Sequence, residues 1–133
     1  WSMKVTRIDH VAVAVPDLEE ARRTFALLGL AGPEPELVAS QQTLAALLPV
    51  GDGNVELIAP AGNEGPRRFL ERRGPGLHHL GLEVDDLEAA LAELQAGGVR
   101  LIDEEPRPGA RGHDVAFLHP QSTGGVLIEL VQK

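Results

Sequence analysis

The stretch HVAVAVPDLEEARRTFALLGL at residues 10–30 recurs later in the chain as HLGLEVDDLEAALAELQAGGV at residues 79–99. The two stretches align without a gap, and seven of their 21 positions are identical, beginning with His10 and His79. A second pair of similar segments follows them, VELI at 55–58 and IELV at 128–131. Because both matches occur in the same order, the chain is expected to contain two copies of one structural module.

Each copy is predicted to begin with a strand and to continue into a helix. Within residues 7–15, β-branched residues alternate with other residue types. The alternation stops at Pro16, which cannot continue a strand ladder. Asp17 is a favourable N-cap for the helix that follows, and Asp86 holds the same position in the second copy. An apolar stripe at helical spacing follows each cap, so both helices are predicted to pack against a sheet.

After each helix the sequence returns to extended segments. These are residues 43–50 and 54–58 in the first copy, and residues 114–118 and 125–131 in the second. Asp52-Gly53 predicts a tight hairpin between the first two. The pattern predicts the α+β class, with two repeated βαβββ modules that form a cup-like, partly closed mixed sheet around a metal site.

The repeat also predicts the domain organisation. Residues 3–133 are expected to form a single domain made of two modules, about 7–60 and 77–131, with a short basic linker helix at 66–73. Trp1 and Ser2 precede Met3, which suits an initiator, and are expected to be a cloning remnant.

Composition excludes several classes of function. The chain has 133 residues, no cysteine and a net charge of −8 at pH 7. Without cysteine there are no disulfides, no thiolate catalysis and no Cys-ligated zinc. The negative charge disfavours nucleic acid and anionic membranes as partners. No apolar run approaches the roughly 18 residues of a membrane helix, and no signal peptide precedes Met3, so a cytoplasmic location is expected.

The repeat places metal-binding residue types at equivalent positions. If the modules pair about a pseudo-twofold axis, His10, Glu56, His79 and Glu129 surround one centre. Two imidazoles and two carboxylates suit octahedral coordination of a borderline or hard divalent ion, with open positions for water. Zinc, cobalt, manganese, iron and nickel all fit this donor set. Small residues share the strand faces of the histidines and leave room for a substrate: Ala12, Ala14 and Gly81.

The three remaining histidines are interpreted as structural. His78 lies beside His79 but points to the opposite face of its strand. His119, before Pro120, is assigned to packing or turn chemistry, and His113 is expected to be exposed in a loop.

Five stretches carry a resemblance to a known family. They are IDHVAVAVPDLEEA (8–21), VELIAP (55–60), RFLERRGPGLHHLGLEVDDLEAAL (68–91), GVRLIDEEPRPGA (98–110) and VAFLHPQSTGGVLIELV (115–131). Through them the sequence resembles the methylmalonyl-CoA epimerase family of the vicinal-oxygen-chelate (glyoxalase/bleomycin-resistance/dioxygenase) superfamily. The segments GLHH and HPQSTGGVLIEL are specific to the epimerases within that superfamily.

The resemblance implies roles for named residues. The family's metal ligands fall on His10, Glu56, His79 and Glu129, and Glu129 also resembles a glutamate proposed to move the substrate proton. The implied cofactor is a divalent ion, most often Co²⁺, and the implied assembly is a homodimer. The implied reaction interconverts (2R)- and (2S)-methylmalonyl-CoA by α-proton transfer through a metal-stabilised enolate.

Substrate contacts are predicted less directly. Coenzyme A carries phosphates, and Arg67, Arg72 and Arg111 are candidates to bind them, with Gln41 as a further substrate contact. The alternative interpretation is that these arginines form a solvated basic surface. The sequence departs from some members of the family at Ala45, where they carry a second glutamate.

Two alternative functions use the same scaffold. One is another metalloenzyme of the superfamily, a glyoxalase-like isomerase or a thiol transferase. The other is a non-catalytic protein that binds a small molecule, which would be expected to carry apolar residues at the ligand positions. Fold alone does not decide between them, because one scaffold hosts many reactions.

Overall fold

The computed structural model describes residues 3–133, so Trp1 and Ser2, the predicted cloning remnant, lie outside the described residues. The helices and strands are β1 (Val5–Ala14), α1 (Leu18–Leu27), β2 (Glu36–Val38), β3 (Thr43–Val50), β4 (Gly53–Pro60), α2 (Pro66–Arg73), β5 (Gly76–Val84), α3 (Leu87–Ala96), β6 (Arg107–Pro108), β7 (Asp114–Leu118) and β8 (Ile128–Gln132). They fall into two compact units. The N-terminal unit comprises residues 10–78, and the C-terminal unit comprises residues 3–9 and 79–133.

The N-terminal unit carries strands in the order β2-β3-β4-β1. Strand β1 pairs with β4 in parallel, whereas β2–β3 and β3–β4 are antiparallel. Helix α1 begins after Asp17, whose carboxylate accepts a hydrogen bond from the backbone N–H of Glu20 at 3.1 Å. Its apolar side packs on one face of these strands, where Leu18 and Phe25 join Leu48 and Leu57 in a core cluster.

The C-terminal unit repeats this arrangement with strands in the order β5-β8-β7-β6. Strand β5 pairs with β8 in parallel, and β7 pairs with both β8 and β6 antiparallel. Asp86 caps α3 by accepting from the N–H of Ala89 at 3.0 Å. Leu87 and Leu91 of this helix pack with Leu130 in the second core cluster.

The predicted α+β class with two βαβββ modules is confirmed, because each helix is followed by three strands that pair in the same sense. The first of those three strands was not located from the sequence in either copy. Strands β2 and β6 have three and two residues, and β6 ends in Pro108. Segments this short carry no readable alternation, so only their pairing to β3 and β7 defines them.

No helix in the described part of the chain, residues 3–133, combines the length and the apolar character that crossing a membrane requires.

Candidate metal centre

One sheet face of the N-terminal unit carries a buried histidine and a buried glutamate. His10 on β1 shares its face with Ala12 and Ala14, and β4 places Glu56 directly beside Ala12 in the parallel register. The Nε2 atom of His10 lies 3.9 Å from Oε1 of Glu56. The opposite face of the same strands packs against α1. Side chains alternate between the two faces along β1, so the His10–Glu56 pair lies on the face away from the helix.

The C-terminal unit carries a second pair in the equivalent register. His79 on β5 shares its face with Gly81, and Gly81 pairs with Glu129 of β8 as Ala12 pairs with Glu56. The Nε2 atom of His79 lies 3.4 Å from Oε1 of Glu129. The repeat predicted from the sequence therefore extends to the geometry of its polar pairs.

All four side chains are withdrawn from water. The exposed fractions are 3% for His10, 7% for Glu56, 6% for His79 and 4% for Glu129. Burying carboxylates is costly unless a cation or hydrogen-bond donors compensate the charge. Burying two His–Glu pairs therefore costs free energy, and the packing of a core does not require it.

The donor atoms fit a metal ion better than direct hydrogen bonding within each pair. The separations of 3.4 and 3.9 Å exceed the usual N–H···O distance. Two ligand atoms that each lie about 2.1 Å from one ion, at right angles, are about 3 Å apart. Imidazole nitrogen with carboxylate oxygen is a donor set for divalent ions such as zinc, cobalt and manganese.

An aromatic residue fixes the second pair from the side. Phe117 on β7 lies opposite Glu129 in the register, and its ring meets His79 edge-on with 5.4 Å between centroids. The backbone N–H of Phe117 donates to the carboxylate of Asp103 at 2.8 Å, and the guanidinium of Arg107 lies over the Phe117 ring at 5.4 Å. These contacts hold the ring that orients the imidazole of His79.

A buried charge cluster in the C-terminal unit was not anticipated from the sequence. Asp9, immediately before His10, is fully buried, with Lys133 Nζ 3.1 Å away and the guanidinium groups of Arg7 and Arg111 each 3.7 Å away. Glu83 also contacts Lys133, at 3.1 Å, and Arg7, at 3.5 Å. We call these five residues the Asp9 cluster. Its sequence signal was the charged pair Arg7 and Asp9 inside strand β1.

The remaining histidines take different positions. His78 packs its ring edge-on against Phe69, 4.8 Å between centroids, as a structural residue does. His119 accepts a hydrogen bond at Nδ1 from the N–H of Gln121 at 3.0 Å, which is the predicted turn chemistry. His113 is half-buried, whereas the sequence analysis expected it to be exposed, because its loop lies near the Asp9 cluster.

The predicted substrate-binding residues have structural contacts of their own. The Nε of Arg67 donates to the carbonyl of Gly62 at 2.8 Å, and Arg111 pairs with Asp9. The carbonyl of Gln41 accepts from the hydroxyl of Thr43 at 2.7 Å. Arg72 is exposed on α2. These contacts leave the role of all four in substrate binding a prediction.

Acidification is expected to destabilise the protein through His113. Burial lowers the pKa of His113 below its ordinary value of 6.5, and the charges of Arg111 and Lys133 act in the same direction, while Asp9 and Glu83 oppose them. Between the lowered pKa and 6.5 the unfolded chain binds more protons than the folded one, so stability falls as the pH falls through that window. Urea unfolding of the wild type and of His113→Gln at about pH 7 and about pH 5.5 measures this. The variant is expected to lose less stability on acidification, and an equal loss in both proteins would contradict the assignment.

Comparison with known proteins places the chain in a family. The sequence profile of the glyoxalase/bleomycin resistance protein/dioxygenase superfamily matches residues 9–117. The chain belongs to this superfamily. The family resemblance inferred from the motifs is thereby confirmed.

Within the superfamily, the chain is similar to several methylmalonyl-CoA epimerases. The mitochondrial methylmalonyl-CoA epimerase of Bos taurus is 40% identical over 129 residues, which cover 95% of this chain and 74% of that protein. The methylmalonyl-CoA epimerase of Mycobacterium tuberculosis superimposes with a TM-score of 0.91 at 39% identity, covering 96% of this chain and 88% of that chain. A methylmalonyl-CoA epimerase in complex with methylmalonyl-CoA and NH4⁺ superimposes with a TM-score of 0.93 at 31% identity, covering 98% and 96%.

Proposed function

We propose that this protein is a metal-dependent epimerase that interconverts (2R)- and (2S)-methylmalonyl-CoA. The main support for the proposal is that each module holds one buried His–Glu pair, at the equivalent position of the strand register. The epimerases to which the chain is similar supply the substrate class. The activity is an isomerisation of the racemase and epimerase class.

The four side chains of the two pairs are the proposed ligands of one divalent ion. His10, His79 and Glu129 are proposed to coordinate the ion, and Glu56 is proposed to complete the set by its equivalence to Glu129. Histidine and carboxylate ligands bind several divalent ions, and we propose Co²⁺ as the ion in this protein. When bound, the ion supplies Lewis-acid stabilisation of the negative charge that develops on the thioester oxygen.

The residues of the chain have three tasks in this reaction. Glu129 is the proposed acid/base group on one side of the α carbon, since it lies in the buried site and a carboxylate can accept the α proton. Ala12, Ala14 and Gly81 on the ligand-bearing faces leave space for a small branched acyl group. Burial of the pairs keeps water from competing for the developing charge.

Substrate binding and assembly complete the proposal. Arg67, Arg72 and Arg111, with Gln41, are the proposed contacts of the acyl-CoA, because guanidinium groups bind phosphate with paired hydrogen bonds. We propose a homodimer in the cytoplasm, with neither nucleic acid nor membrane as a partner. The net charge of −8 supports the last point.

The choice of substrate is tested with metal-loaded protein and two compounds. We expect epimerisation of (2S)-methylmalonyl-CoA, followed by circular dichroism, and no isomerisation of a methylglyoxal hemithioacetal. Removal of the ion with EDTA is expected to abolish the activity, and Co²⁺ is expected to restore it. Isomerisation of the hemithioacetal without epimerisation would assign the protein to the glyoxalase-like alternative.

Glu56→Gln is expected to be milder than changes at the other ligands. The amide oxygen can still bind the ion, while one negative charge is lost from the buried site. We expect epimerisation to fall by about tenfold or less and the protein to retain its metal. Metal content by mass spectrometry and the rate under saturating Co²⁺ measure the two effects. Complete loss of activity with the metal still bound would instead make Glu56 an acid/base group.

A further inference from the structure

Inverting an α carbon requires a proton to leave from one face and to return on the other. One carboxylate beside the ion serves one face, so a second group is needed on the opposite side. We infer that Glu36, on the short strand β2, is this second acid/base group, an inference that rests on the proposed epimerase function. No role of Glu36 was predicted from the sequence.

The strand register places Glu36 on the ligand-bearing face of the N-terminal unit. Glu36 pairs with Ala45 of β3, and Ala45 pairs with Ile58 of β4. Residues directly opposite each other in neighbouring strands project to the same side of a sheet. Ile58 lies two residues from Glu56 on its strand and therefore on the same face. Glu36 thus shares this face with the ligand pair.

The spacing suits a substrate between the carboxylates. Strands lie about 4.8 Å apart, so two strand steps separate β2 from β4 by about 10 Å, and two residues along a strand add about 7 Å. The Cα atoms of Glu36 and Glu56 are therefore about 12 Å apart. Two glutamate side chains that stand on the same face at this distance leave room for a small acyl group between them. Ala45, between them, contributes only a methyl group.

Few groups on this face can move a proton. On the described strands β1 to β4 of the N-terminal unit, the titratable residues of this face are His10, Glu56 and Glu36. The first two are proposed ligands, which leaves Glu36. It is half-buried rather than buried, so its carboxyl group can exchange protons with water between turnovers.

The fold itself does not require an acid at this position. In the C-terminal unit, β6 pairs with β7 so that Arg107 lies opposite Val115, as Glu36 lies opposite Ala45. The second copy of the module therefore carries a cation at the equivalent place. The carboxylate of Glu36 is specific to the N-terminal unit, as an asymmetric chemical task would demand.

The proton steps balance when Glu36 serves one face of the α carbon and Glu129 serves the other. For one epimer, the carboxylate of Glu36 accepts the α proton, and the electron pair of the C–H bond moves to the thioester oxygen. The carboxylic acid of Glu129 then donates a proton to the other face of the α carbon, and the C=O bond reforms. The reverse reaction exchanges the two roles, and proton exchange with water resets both groups.

The test compares Glu36→Gln with the wild type in D₂O, using each epimer of methylmalonyl-CoA and NMR detection. We expect epimerisation to fall by about 100-fold or more, with metal content and thermal unfolding midpoint unchanged. One epimer, whose α proton faces Glu129, should still take up deuterium without inversion. Glu34→Gln is the matched control, because Glu34 is exposed two residues away, and it should epimerise at the wild-type rate.

A second variant guards against a merely structural effect. In Glu36→Gln combined with Ala45→Glu, a carboxylate returns to the same face from the neighbouring strand. We expect this double variant to recover part of the lost epimerisation. Wild-type epimerisation in Glu36→Gln would overturn the inference, and so would loss of deuterium uptake by both epimers. Absence of epimerisation in the wild type would overturn the proposed function instead.

Discussion

Glu129→Gln is expected to abolish epimerisation. The change removes the negative charge from a buried ligand position and removes the group proposed to carry the proton on one face. Since the two effects act on the same step, we expect a loss of more than about 1,000-fold in turnover. The rate with each epimer under saturating Co²⁺ measures this loss.

Metal content separates the two roles of Glu129. His79→Ala removes only a ligand, and we expect it to lower both the bound metal and the activity. Glu129→Gln should retain more metal than His79→Ala while being at least as inactive. Glu105→Gln, an exposed glutamate of the same unit, serves as the matched control and should behave as the wild type does. Full activity in either site variant would refute the proposed metal centre.

Asp9→Ala is expected to be the most destabilising single change. Asp9 is fully buried among three cations, Lys133 at 3.1 Å and Arg7 and Arg111 at 3.7 Å. Removing one partner of a buried ion pair leaves uncompensated charge and typically costs about 3–5 kcal/mol. The side chains of the three cations are about one-third exposed, so we expect the lower end of that range, about 3 kcal/mol.

Urea unfolding of the metal-stripped protein measures this cost, because a bound ion would add its own stabilisation to the folded state. Asp85→Ala is the control. Asp85 is exposed and accepts one hydrogen bond, from the backbone N–H of Lys4 at 3.1 Å. We expect it to cost less than about 1 kcal/mol. A change at Asp9 no larger than that at Asp85 would show that the Asp9 cluster contributes little to stability.

The internal repeat made much of this molecule predictable from its sequence. Duplicated caps at Asp17 and Asp86 predicted the starts of α1 and α3, and duplicated His and Glu positions predicted the two polar pairs. Both predictions rest on local patterns, which a sequence displays directly. The equivalence of the registers of Glu56 and Glu129 then followed from pairing that each module repeats.

Features that depend on pairing between distant segments were not predictable. Strand β2 exists because Glu36–Val38 pairs with β3, and its three residues carry no alternation of their own. The Asp9 cluster joins residues that are up to 126 positions apart, from Arg7 to Lys133. Charge alone identified Arg111 as a phosphate-binding candidate, yet its guanidinium lies 3.7 Å from the buried carboxylate of Asp9. The charges of Arg7 and Asp9 are visible in the sequence of β1, but nothing in the local sequence indicates that Arg111 and Lys133 lie beside Asp9.

The metal centre is proposed to move the α proton of methylmalonyl-CoA. The most direct measurement is NMR of a single epimer of methylmalonyl-CoA in D₂O with Co²⁺-loaded protein, beside an EDTA-stripped sample. We expect deuterium at the α carbon together with formation of the other epimer, both only when the metal is present. Neither exchange nor epimerisation by protein that demonstrably holds the metal would contradict it.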